Sequence, residues 1–148
     1  GNWSLLVENI YRIKELFPQG HWAGIHAVYN IYNATRLFDF IEWAKFVGIN
    51  THWQSLYQPD YLDPLKHKPA VRALAHAEIK RVLARTDLTD SERSFFTQAE
   101  QNFNNTPTED LTEQFKQHIQ EMETVYHQDQ QGQFAWLWPE LQKTIWTN

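Results

Sequence analysis

The sequence predicts a mixed α/β fold that becomes mainly α: a helix, one parallel β-α-β unit, then a group of three to four helices. Three observations point there. Apolar residues recur three and four apart near the start and again after residue 70, the spacing of helices with one buried face. Two short apolar runs, 22–29 and 49–57, are bracketed by turn residues as strands are. Between them lies a dense apolar stretch that stops at Gly48, a residue suited to ending a helix.

Trp3, Leu6, Ile10, Ile13 and Phe17 mark residues 3–17 as an amphipathic helix, stopped by Pro18 and Gly20. The run 22–29 reads as a strand covered on both faces. Asn33 is the expected N-cap of the next helix, where Leu37, Phe38, Phe40, Ile41, Trp43, Ala44, Phe46 and Val47 leave only Arg36, Asp39, Glu42 and Lys45 polar. Such a helix must be largely buried. Residues 49–57 then form the second strand, and a strand-helix-strand crossover makes the pair parallel and right-handed.

The prolines and aspartates of 59–69 forbid regular structure there. Val71, Leu74, Ala75, Ile79, Val82 and Leu83 form the face of one helix. Thr89 with Glu92 makes a capping box before Phe95, Phe96, Ala99 and Phe103. Thr106, Pro107 and Glu109 open a further helix through Leu111, Phe115, Ile119, Met122 and Tyr126. The polar run 128–133 breaks the chain before a last segment, 134–146, with three of the seven tryptophans.

Composition narrows the function classes. At 148 residues the chain has the length of one domain and can bury a real core. Seven Trp, nine Phe and six Tyr exceed what such a core readily covers, so some rings are expected near the surface. The net charge of −5, with no basic stretch beyond Lys66, His67 and Lys68, argues against a nucleic-acid partner. No apolar run approaches the roughly 20 residues of a membrane span, and no signal pattern opens the chain, so a soluble, cytoplasmic protein is expected. With no cysteine there is neither a disulfide nor a thiolate metal site. A first residue of Gly instead of Met suggests a cleaved tag or a start inside a longer reading frame.

Among polar residues, His118 with Glu121 and Glu123 with His127 lie one helical turn apart but match no metal motif, and read as solvated helix faces. His67 and His76 have no partner in sequence and read as surface residues. His26 and His52 sit on predicted strands, in the rows His26, Val28, Asn30 and His52, Gln54, Leu56. Strand ends are where α/β folds hold ligands, so His26, Asn30, His52 and Gln54 are the candidate binding residues. Mutual pairing in the core is the plainer alternative for them. No nucleophile elbow, phosphate loop or dinucleotide turn is present, and neither a catalytic residue nor a metal site is assigned. The segment Trp136, Leu137, Trp138, Pro139 could stack a sugar or a partner helix, although core packing explains it better.

Residues 24–50 resemble a late β-α-β step of the partial barrel in radical SAM proteins: an apolar strand, Asn33, Leu37 one turn on, and Gly48 before the next strand. Residues 3–13 are similar to the helix before that strand. Residues 56–62, Leu-Tyr-Gln-Pro-Asp-Tyr-Leu, are similar to the following loop in members with a short C-terminal twitch extension. Phe115 with its long helix, the polar break and Trp138-Pro139-Glu140-Leu141 resemble the closing segment. The resemblance implies a piece of a partial TIM-like barrel over 1–58 and a helical extension over 59–148, together one compact unit. The family's CxxxCxxC motif is missing. It follows from the resemblance that this is a C-terminal fragment binding no cofactor alone, whose parent would use S-adenosylmethionine and a 4Fe-4S cluster. His26, Asn30, His52 and Gln54 would face that barrel's interior.

Two other functions compete: a self-contained helical interaction module with an aromatic surface, and a sugar-binding domain. A two-strand parallel sheet has open edges, so a homo-oligomer or the missing N-terminal barrel half is the expected partner.

Overall fold

Gly48 directs the middle of the chain. In the computed structural model, which describes residues 3–17, 24–56, 58–105, 109–126 and 133–147, it caps α2 (Leu37–Val47) in the left-handed conformation, φ 69° and ψ 44°. Its N–H bonds back to Lys45 O, Ile49 N–H bonds to Ala44 O, and the reversed chain enters β2 (Thr51–Ser55). β2 pairs in parallel with β1 (Ile25–Tyr29), Ile25 opposite Thr51 through Tyr29 opposite Ser55. Both strands are shorter than the sequence suggests, and 22–23 and 57 lie outside the described residues.

The sheet is covered on one face, not two. Tyr29 and Trp53 pack with Leu37, Ile41, Ile79, Val82 and Phe96, whereas His26, His52 and Gln54 on the other side are exposed. The strand pattern explains this: in each strand the alternate residues on that side are mostly polar, so burying them would strip water from imidazoles and an amide.

α1 (Trp3–Leu16) forms as its periodicity predicts but buries only Ile10, against Ala44, Val47 and Ile49. Lys14 Nζ donates to Val47 O at 2.8 Å and Trp3 lies 4.6 Å from Trp43, ring centre to ring centre. Trp3, Leu5, Leu6, Tyr11, Ile13 and Leu16 are exposed, so the amphipathic face lacks the cover expected of it. Phe46 of α2 is 83% exposed for the same reason.

Asn33 does not cap α2. Its Oδ1 accepts from Asn30 N–H and its Nδ2 donates to Val28 O, which builds the turn after β1. The helix starts four residues later at Leu37, where Glu78 accepts from the Phe38 N–H at 2.8 Å. The connection after β2 is not wholly irregular either. Two 3-10 turns, Asp60–Leu62 and Pro64–Lys66, follow a cis Gln58–Pro59 bond, and Asp63 caps the second by accepting from Leu65 N–H.

α3 (Pro69–Leu83) and α4 (Asp90–Asn102) form as read, and the Thr89–Glu92 capping box is complete. α5 (Thr112–Tyr126) starts later than Thr106, which lies outside the described residues; Asp110 accepts from Thr112 N–H there. The last segment divides into α6 (Gln133–Leu137) and α7 (Pro139–Trp146), because Pro139 cannot donate into a continuing helix but suits a first turn. Among the described residues five α-helices therefore follow residue 59 where three or four are expected. Their core joins Phe115, Phe134, Leu141 and Ile145 to Ile31, so both major core clusters draw on residues from either side of position 58. No helix among the described residues is long and apolar enough to cross a membrane.

Candidate functional site

The parallel register sets His26 directly beside His52, and Val28 beside Gln54. The two predicted rows therefore share one open face, with neighbouring backbones about 4.8 Å apart. Three of the four candidates, His26, His52 and Gln54, meet there. Asn30 does not: its Nδ2 donates to Val28 O and its Oδ1 accepts from Tyr32 N–H, which commits it to the turn. Among the described residues no group of three or more His, Asp or Glu gathers as a metal cage.

A cleft of about 420 Å³ opens at the C-terminal end of the strands. Tyr29 and Ser55, the last residues of β1 and β2, reach it together with Trp53 and Gln54. Asp63 comes from the turn connection, Phe95, Gln98 and Asn102 from α4. Trp53 and Phe95 stack at 6.1 Å and 26°, and Tyr29 meets Phe95 edge-on at 6.2 Å. The Tyr29 hydroxyl is buried and finds no hydrogen-bond partner among the described residues. Leaving such a group unpaired costs about 1 to 3 kcal/mol.

Burial, with the Asp63 charge adding to it, holds the Tyr29 phenol far above its ordinary range, so it stays a neutral donor. Burial also raises the Asp63 carboxyl, against the Leu65 N–H bond and the Lys66 charge that pull it down. The cleft thus joins an aromatic wall to a phenol with no partner among the described residues and a partly buried carboxyl. Gln54 is the one predicted site residue it includes. Asp63 lies in the segment whose prolines forbid regular structure, and alternation sets Tyr29 apart from the predicted row; the Asp63-Pro64 pair within the connection after β2 was the available signal.

A second cavity, about 430 Å³, lies among Tyr32, His118, Met122, Glu123, Phe134 and Trp138. Two of its polar side chains are already engaged. His118 Nδ1 faces Tyr61 OH at 3.4 Å, and Glu123 accepts from Phe134 N–H at 3.1 Å. His118 and Glu123 are thus half-buried against neighbours, not a solvated face, whereas His127 lies outside the described residues. Trp138 and Trp146 pack on Phe134.

Of the two histidines without a partner in sequence, His67 is buried and His76 is partly covered. His67 is 1% exposed, with Nε2 3.0 Å from Tyr61 O and its ring edge-on to Phe115. His76 stacks on Phe103 at 5.1 Å and 3°, with Nε2 3.8 Å from Glu100. His67 departs from the surface position expected of it because Tyr61 and Phe115, on other elements, cover it.

Comparison with protein-family models, with curated proteins and with solved structures gave no match to this chain.

Proposed function

We propose that this chain is the C-terminal portion of a radical SAM protein, without catalytic activity on its own. The observation that carries the reading is the one-sided cover of the β1–β2 pair. Helices pack on one face, while His26, His52 and Gln54 line the other and remain exposed. Purely parallel sheets ordinarily have both faces covered. A partial barrel instead turns its inner face toward cofactor and substrate, where polar side chains belong. The edges of a two-strand pair would accept further strands from the other half.

In this reading the parent's other half supplies the CxxxCxxC motif, and with it the 4Fe-4S cluster and S-adenosylmethionine, in the cytoplasm. The test is the coding DNA upstream of Gly1. An in-frame barrel half carrying three cysteines in that spacing is the expected result. A start codon there with no such half would overturn the proposal.

A second reading, a self-contained interaction module, draws on the uncovered face of α1 together with Phe46. It expects self-association, with a second copy covering that face, and an L16E/F46E double variant that separates. A clean monomer at micromolar concentration in sedimentation velocity would count against it.

A further inference from the structure

The cleft at the strand ends is lined by neither His26 nor His52, and its chemistry stands apart from the parent-protein reading. Its volume is within the range of small-molecule sites. Among the described residues lining it Asp63 is the one acid and none is Lys or Arg, which disfavours phosphates and carboxylates. Trp53 and Phe95 offer aromatic surface that attracts cations as well as flat rings. The buried Tyr29 hydroxyl has a proton to donate and no described acceptor.

We propose that this cleft binds a small aromatic amine, its ammonium on the Asp63 carboxylate, its ring against Trp53 and Phe95, and a ring oxygen accepting from the Tyr29 hydroxyl. An amine satisfies the carboxylate that burial has left costly to ionise. A ring oxygen satisfies the phenol that the fold leaves unpaired. An acid of the same shape would set two carboxylates against each other.

Calorimetry with tyramine, phenethylamine and 3-(4-hydroxyphenyl)propionate tests this on the whole chain. Tyramine is expected to bind, phenethylamine several-fold more weakly, and the propionate not detectably. D63N should weaken tyramine about tenfold or more, and Y29F should remove the advantage of tyramine over phenethylamine. Because D63N also alters a turn cap, Q98K gives an independent check: Gln98 lies on the α4 surface and lines the cleft. The added cation should weaken tyramine and favour the propionate while the melting curve is kept. Equal binding of amine and acid, unchanged affinity in D63N and Q98K, or no binding of tyramine at millimolar concentration would each overturn the proposal.

Discussion

Glu92 of α4 and Lys45 of α2 form an ion pair at 2.6 Å that locks the helical group onto the β-α-β unit. The carboxylate is fully buried while Lys45 keeps a fifth of its side chain in water. Thr51 at the start of β2 donates to Oε1, and the Thr89 N–H donates to Oε2 at 2.8 Å. One side chain therefore completes a capping box and joins three elements.

Removing that carboxylate leaves donors from three elements unsatisfied. E92A is expected to lose about 3 kcal/mol in urea denaturation, and K45M less, because Thr51 and the Thr89 N–H still hold the carboxylate. Equal losses in the two variants would contradict this ordering.

His67 gives the fold an acid sensitivity of its own. Burial pushes its imidazole down to about 4, against the hydrogen bond to Tyr61 O and the nearby Asp110 charge. The folded ring stays neutral while the unfolded one titrates near 6.5. Between those values the unfolded chain takes up a proton that the fold refuses, so stability is full above pH 6.5 and falls as pH drops toward 4. The loss is on the order of 3 kcal/mol. Thermal melts followed by circular dichroism should show this slope in the wild type and a flatter one in H67Q. Glu92 and Asp110, whose carboxyls the fold holds below their usual range, add their losses only at lower pH.

Two glycines should rank clearly. A Cβ on Gly24 would sit 2.2 Å from the Asn50 backbone oxygen, the same atom that accepts from Ile25 N–H. Backbone must move, and G24A is expected to cost about 2 to 3 kcal/mol. Gly48 has positive φ, but the atom its Cβ would meet is the end of the flexible Lys14 side chain. G48A should cost about 1 to 2 kcal/mol, so a larger loss there than in G24A would contradict the packing described.

Without ligand, Y29F should leave stability unchanged or raise it by about 1 kcal/mol. The substitution removes an unpaired buried hydroxyl and keeps the ring against Phe95. A loss greater than that in chemical denaturation would mean the hydroxyl has an acceptor.

Much of the fold was legible because it rests on local chemistry. Helix periodicity, the Gly48 cap and the Thr89–Glu92 box follow from neighbours within a few residues, and the parallel order of two runs from the helix that joins them. Asn33 misled for a local reason as well: an Asn can cap a helix or close a turn, and here Val28 O and Asn30 N–H take its side chain first. The site was harder to see. Strand alternation gave the correct rows for His26, His52 and Gln54 but not which face the helices would cover.

By itself the sequence determined the element types, their order and the absence of thiolate chemistry, since these depend on spacing and composition. The tertiary structure decided which groups lose their water: that His67 and Glu92 are buried, that His26 and His52 are not, and that Tyr29 and Asp63 share a cleft. Burial and pairing come from segments tens of residues apart, and no local pattern encodes them.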